Sequence, residues 1–298
     1  MQRKSFIKGS ALFLTAIAIG GKNSFAQLLA ENGYEIKMLG ENVGIFTEKG
    51  GTIMFVHTSE GTVVVDTQFP DSASHLIEEI KKLKKGIAMV INTHHHGDHT
   101  GGNISFVNLT KIVVAHQNAA KNLQEVAAKS KTESKQYFPT ETFVTKLSLQ
   151  VGAEKIDLHY FGAGHTNGDI FVHHVNSNTV HVGDLIFNNR HPFVDRSAGA
   201  NMKSWQTVIK KASKKFPNDT KYISGHAGNG FSVEMKKEDL FVFKRYLSAV
   251  LRQVKEGIKN KMTREEIIKA KTIKGFETWD ASGIERPLTA AYEELTTK

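Results

Sequence analysis

The segment Thr93-His94-His95-His96-Gly97-Asp98-His99 sets four imidazoles and one carboxylate within seven residues, directly after the unbroken apolar run Ile87–Ile91. No other feature constrains the fold as strongly. An apolar run of this length, rich in β-branched residues, reads as a buried strand. The chain must then leave the sheet at its edge and present polar side chains to a cleft. In an extended segment alternate residues share a side, so His94 and His96 face one way and His95 the other. Gly97 lets the chain turn and bring Asp98 and His99 alongside. Imidazole and carboxylate in this arrangement suit zinc, at ~2.0–2.2 Å per ligand. The chain has no cysteine, so disulfides and thiolate ligands are excluded. Any metal is held by nitrogen and oxygen, which iron or manganese also accept.

Three further candidates lie in separate segments. His165 sits in the glycine-rich run 161–169. Asp184 ends a strand expected over 179–182, and His226 follows one expected over 221–224. Each stands beside glycine at the C-terminal end of a strand, where a rigid sheet can offer a side chain to a cleft. Around them, strands are expected over 34–39, Val43–Thr47, 52–58, 62–66, 111–115, 141–146, 155–161 and 170–174. Helices are expected over 72–85, 118–129, 203–214, 237–258 and 263–270, the last opened by a Thr263/Glu266 capping box. Strands followed by helices, twice over, fit two sheets packed face to face with helices outside. No Pro/Gly/Ser-rich linker divides residues 27–298, and the helical segment from about 232 to 298 is the one part that reads as an appendage.

The run His94-x-His96-x-Asp98-His99, followed in order by His165, Asp184 and His226, resembles the dinuclear ligand set of the metallo-β-lactamase superfamily. The resemblance covers about residues 34–232. It implies a four-layer αββα sandwich of mixed α/β class with the site at the sheet edges. It implies that His94, His96 and His165 hold one metal, that Asp98, His99 and His226 hold a second, and that Asp184 bridges them. Two cations ~3.5–4 Å apart can share a water and lower its pKa from ~15.7 towards ~7. The resulting bridging hydroxide attacks an electrophilic carbonyl or phosphorus, with Asp98 orienting it or accepting its proton. Asp66 and Asp169 resemble the family's supporting carboxylates, which hydrogen-bond ligand histidines and fix their tautomers. Arg190, His191 and Arg196 follow Asp184 closely and are candidates for binding an anionic substrate group.

Asp184 bears on the reaction. The best-known metallo-β-lactamases place Cys or Ser there, with a Lys three residues on where this chain has Phe187. The pattern is therefore more similar to the thioesterase, lactonase and general hydrolase members, and an ester, thioester or lactone is the expected substrate. Hydrolysis of a β-lactam ring is the alternative. A mononuclear iron persulfide dioxygenase, which resembles the same motif, is another.

Residues 1–26 read as an export signal. They comprise a basic segment with Arg3, Lys4 and Lys8, the apolar stretch 11–20, and Ser24-Phe25-Ala26 as a cleavage site before Gln27. Arg3-Lys4 resembles a twin-arginine motif with Lys in the second place, so either export route fits. The expected location is periplasmic or secreted. The apolar stretch is shorter than the ~20 residues a membrane span needs, and the mature chain has no other candidate span. The formal net charge of +9 falls to +5 without these residues. That excess is too small and dispersed for a nucleic-acid partner, which leaves a small-molecule substrate. The sequence carries no feature that sets the number of subunits.

Overall fold

The computed structural model describes residues 33–297. The segment read as an export signal, residues 1–26, falls outside them. Among the described residues no helix is long and apolar enough to cross a membrane.

The first sheet has seven strands in chain order: β1 (Glu35–Met38), β2 (Val43–Thr47), β3 (Ile53–Thr58), β4 (Gly61–Val65), β5 (Ile87–Ile91), β6 (Val113–His116) and β7 (Glu141–Phe143). β2, β3 and β4 are antiparallel neighbours joined by short turns. From β4 onward the strands run parallel, which requires a crossover between each pair. The first crossover is α1 (Pro70–Lys82), with Pro in its first turn, Asp71 near its positive end and Lys81 and Lys82 near its negative end. The second is the short α2 (Gly97–Thr100) with the turn that follows it. The third is α3 (Gln117–Ser130), which packs on β6 and β7.

The second sheet has the order β13-β12-β11-β10-β9-β8. Its members are β8 (Lys146–Val151), β9 (Glu154–His159), β10 (Phe171–His174), β11 (Thr179–Asn188), β12 (Lys221–Ala227) and β13 (Glu234–Met235). The expected single strand over 141–146 is two strands. The chain leaves the first sheet after Phe143 and enters the second at Lys146. The apolar face of one sheet meets that of the other: Val43, Met54, Val65 and Ile91 pack with Ile156, Leu158, Val172 and Ile223. Burying a side chain of this kind contributes about 1.5–3 kcal/mol, so the sheet interface fixes the relative position of the strand ends that carry the site.

The opposite face of the second sheet is covered by α4 (Met202–Lys215), α5 (Lys237–Lys259) and α7 (Glu285–Thr296), with the short α6 (Arg264–Ile268) between the last two. Leu240, Phe243, Leu247, Val250 and Val254 line one face of α5 at helical spacing, and all are buried. The segment after residue 232 is thus built into the core. The capping box appears as expected, with Glu266 accepting from the Thr263 N–H at 2.7 Å. α7 has no side-chain cap at its N-terminus, and its start carries no sequence signal. Its Glu294 carboxylate accepts from the N–H groups of Met202 (2.7 Å) and Lys203 (3.1 Å), capping the first turn of α4. Replacing a helix cap costs about 0.5–2 kcal/mol. Glu294→Ala is expected to lower the unfolding free energy by an amount in that range, seen as a lower urea midpoint with an unchanged slope of the transition. An unchanged midpoint would show that the last helix adds nothing to α4.

Candidate metal centre

The seven histidine and aspartate candidates converge at one edge of the sandwich. His94 and His96 leave β5. Asp98 and His99 lie in α2, whose first turn closes with the N–H groups of His99 and Thr100 on the His96 carbonyl. His165 comes from the turn between β9 and β10. Asp184 and His226 lie within β11 and β12, and not beyond them as their sequence placed them: β11 continues to Asn188 and β12 to Ala227. A register shift at Gly183, where φ is +49°, makes the difference. The irregularity breaks the strict alternation of β11 and re-aims its side chains at the cleft.

Two groups form. The donor atoms of His94, His96, His165 and Asp184 lie within 4.8 Å of one another, and so do those of Asp98, His99 and His226. Asp184 stands between the groups. Its Oδ2 is 3.4 Å from His165 Nε2 and 4.0 Å from His94 Nε2, while its Oδ1 is 3.1 Å from His99 Nε2 and 3.6 Å from His226 Nε2. Asp98 Oδ2 lies 3.0 Å from His226 Nε2. His94, His99 and His165 are fully buried. His96, Asp98 and His226 are partly exposed and form the open side.

The outer ring nitrogens explain how these imidazoles are aimed. His99 Nδ1 donates to Asp66 Oδ2 at 2.7 Å. His96 Nε2 donates to Asp195 Oδ2 at 2.9 Å, and His165 Nδ1 donates to the Phe193 carbonyl at 2.9 Å. A neutral imidazole carries one N–H, so in that form the inner nitrogens of His96 and His165 present bare lone pairs. Burial opposes charge on His99, but Asp184 and Asp66 on its two sides outweigh that cost and hold it well above its ordinary pKa. His96 Nδ1 and His165 Nε2 face each other at 2.9 Å in this state, and two lone pairs cannot hydrogen-bond. Buried His94 Nε2 also has no hydrogen-bond partner. Converging lone pairs of this kind are what a cation satisfies. Two nitrogens on one tetrahedral zinc stand about 3.3 Å apart, close to the spacing found. The residues therefore fit divalent metal.

Charge follows burial. Desolvation, reinforced by the neighbouring imidazoles, holds His94 well below its ordinary pKa. Desolvation likewise takes His165 down to about 3. Both are neutral and ligand-ready across the physiological range. Burial opposes ionisation of Asp98, but its hydrogen bond to His226 and the charge of His99 outweigh that and bring it to about 2. Asp184 is also held well below the carboxylate range: burial opposes its charge, and the surrounding histidines overcome it.

Asp66 adopts a left-handed conformation, φ +62°, rare for a residue with a side chain. Its carboxylate fixes that conformation by accepting from Thr93 N (2.8 Å), Thr93 Oγ1 (2.7 Å) and His99. Asp169 acts differently from the expectation. It touches no ligand ring and instead closes the turn that carries His165, accepting from Thr166 N and Oγ1. Burial raises its pKa to about 6. The three candidate anion binders separate. Arg190 is exposed at the rim. Buried His191 is hydrogen-bonded to Tyr246 at 2.7 Å. Arg196 donates to the Ala200 carbonyl and lies 3.7 Å from Glu294, so its guanidinium is engaged within the protein.

Asp195 was not singled out in the sequence. It stands in a loop without motif spacing, and only the fold brings it to His96. It also lies 3.6 Å from His95 Nε2, and His95, His96 and Asp195 are themselves close enough to hold a cation. Burial, with the neighbouring His96, lowers His95 to about 4. Two glycines complete the walls. A Cβ on Gly51 would lie 2.1 Å from the His99 ring, and one on Gly225 would lie 2.3 Å from Asp184 Oδ1. Only glycine fits at either place.

Comparison with known proteins agrees with this geometry. The family model described as metallo-beta-lactamase superfamily matches residues 46–226. Among curated proteins, the chain is 26% identical to a metallo-beta-lactamase type 2 of Elizabethkingia meningoseptica, over 71% of this chain and 85% of the relative. It is 29% identical to one of Bacillus cereus, over 65% and 77%. Among solved structures, a metallo-beta-lactamase from Pontibacter korlensis shares the fold with a TM-score of 0.62 at 22% identity, covering 72% of this chain and 99% of that one. Metallo-beta-lactamase IND-7 does so with a TM-score of 0.60 at 21% identity, covering 73% and 99%. The chain is a metal-dependent hydrolase and belongs to the metallo-β-lactamase superfamily.

Proposed function

We propose that this protein is an exported dinuclear zinc hydrolase acting on an activated acyl bond of a small molecule, an ester, thioester or lactone. His94, His96 and His165 hold one ion, Asp98, His99 and His226 the other, and Asp184 lies between them. The observation that carries this reading is the pair of lone-pair clusters joined by Asp184, each carboxylate oxygen directed at one cluster. The second cluster supplies three further donors, enough for a second ion. Two divalent cations bound there would polarise a substrate carbonyl and lower the pKa of a water from about 15.7 towards about 7.

The chain's own residues do the rest. Asp98 is ionised, reaches the open side of the cleft and is placed to take up the proton released as a water attacks. His226 is kept in place by Phe187, whose ring stacks on it with centroids 5.7 Å apart. Asp66, Asp195 and the Phe193 carbonyl hold their imidazoles in single tautomers. No serine, cysteine or lysine nucleophile is required. Export rests on the basic, apolar and small-residue order of residues 1–26.

β-Lactam hydrolysis is the second reading. The names of the curated relatives favour it, whereas Asp184 and Phe187 favour the first.

Mature protein saturated with zinc is expected to hold two ions per chain by mass spectrometry and to turn over one member of a panel comprising nitrocefin, a lactone and a thioester. Asp184→Asn is expected to lose most of the bound metal and all turnover. Full activity in that variant, or one iron per chain, would end the dinuclear zinc reading, and the panel member consumed decides between the two substrate classes. Loss of a ligand's supporting carboxylate commonly costs 10–100-fold in metal affinity. Asp195→Asn is accordingly expected to weaken zinc binding by about that factor in a chelator competition, and Asp195→Glu to restore part of it. Equal affinity in wild type and Asp195→Asn would show that His96 is oriented by other contacts.

A further inference from the structure

A cleft of about 260 Å³ opens between two loops of the catalytic edge and a segment beyond the family match, which ends at residue 226. One wall is Asn189, Arg190 and His191, just past β11. The second is Ala227, Gly228 and Asn229, beginning at the residue bonded to His226. The third is Asp280, Ser282, Gly283 and Arg286, leading into α7. The walls are tied together. The Gly228 N–H donates to the Asn188 carbonyl at 2.7 Å, and a Cβ on Gly228 would lie 2.2 Å from the Asn189 carbonyl oxygen. His191 packs against Trp279 and Tyr246 with ring centroids 5.7 and 5.5 Å apart. The position of the third wall is therefore set by the same aromatic cluster that anchors the first.

Charge identifies the occupant. Arg190 is exposed and has no carboxylate partner among the described residues. Arg286 is exposed, and its nearest carboxylate is that of its neighbour Glu285, 3.9 Å away. Asp280 is the one acidic lining residue, and it accepts from the Ser282 N–H at 2.7 Å. His191 is buried and donates no charge, because desolvation lowers its pKa. With Glu285 beside Arg286 and Asp280 in the lining, the two guanidinium groups face two carboxylates, and Arg190 is the guanidinium left without a carboxylate partner among the described residues, in a cleft adjoining a metal-facing histidine. An unpaired guanidinium suits a monoanion, and its fork matches a carboxylate. The cleft is smaller than pockets that enclose a whole drug-sized ligand, about 300–1,000 Å³, so it suits one end of a substrate whose scissile bond lies over the metal centre.

We propose that this cleft receives a substrate carboxylate, with Arg190 from the catalytic edge and Arg286 from the C-terminal segment as its two partners. The proposal rests on the hydrolase reading and deepens it: the substrate is an acyl compound bearing a free carboxylate, and the segment that follows the family match sets that preference.

The test uses zinc-loaded full-length protein and the variants Arg190→Gln and Arg286→Gln, both at exposed positions. The substrates are a succinyl and a butyryl thioester, equal in chain length and different in the carboxylate, or the corresponding pair for whichever bond is cleaved. Wild type is expected to prefer the carboxylate member. Each variant is expected to reduce that preference about tenfold, through KM and not kcat, as for loss of a charge-assisted hydrogen bond. A preference that is unchanged in both variants, or absent in wild type, overturns the proposal. Calorimetric titration with succinate and with inorganic phosphate stands apart from turnover. If no pair is cleaved, the hydrolase reading fails, and the titration alone decides the cleft. Succinate binding weakened in both variants supports it. Equal succinate binding in all three proteins, or loss of phosphate binding alone, overturns it.

Discussion

The carboxylate of Asp66 is the fixed point of the metal centre. It sits at the end of β4 in a conformation that costs about 1–3 kcal/mol for a residue with a side chain, and it joins Thr93, where the histidine run begins, to His99, where it ends. A seven-residue segment with both ends on one buried carboxylate has little freedom. His94 and His96 emerge between those ends, already aimed. The strain at Asp66 is offset by three hydrogen bonds at a fully buried position, where each is worth more than at the surface.

The rest of the centre follows the same logic with different partners. Desolvation removes protons from His94 and His165, while carboxylates fix the rings of His99 and His96. The result is a set of lone pairs directed inward with nothing of their own kind to bond. A protein pays for such a concentration of donors in stability, and bound cations return it. Metal bound to these donors would couple its affinity to folding, and the sheet interface supplies the stiffness that keeps the donors from rotating apart.

The strand positions and nearly all of the site's residues could be read from the chain because both depend on local pattern. An apolar run ending in alternating histidines states its own geometry, and the Gly-flanked His165, Asp184 and His226 each follow a recognisable strand. What escaped depends on distance. Asp195 meets His96 across 99 residues, and Gly51 meets His99 from a turn in another hairpin. Neither has a spacing that marks it. The bulge at Gly183 hid the full length of β11, because an irregular strand breaks the alternation by which strands are found. α7 begins without a cap, and the groups that hold it, the Met202 and Lys203 N–H groups bonded to its Glu294 among them, lie on α4, far away in the sequence.

His165 is held by a main-chain oxygen, that of Phe193, and not by a side chain. Every amino acid supplies that oxygen. That hydrogen bond does not depend on the Phe193 side chain, which is 45% exposed beside the cleft and packs against the rings of His165 and His96 with centroids 6.2 and 5.6 Å apart. Drift at this position can reshape the cleft rim while leaving the imidazole where it is. Two residues further on the opposite holds: Asp195 serves His96 through its carboxylate, and only its near equivalents can replace it. One short loop thus contains a position open to selection for new substrates next to a position closed to it.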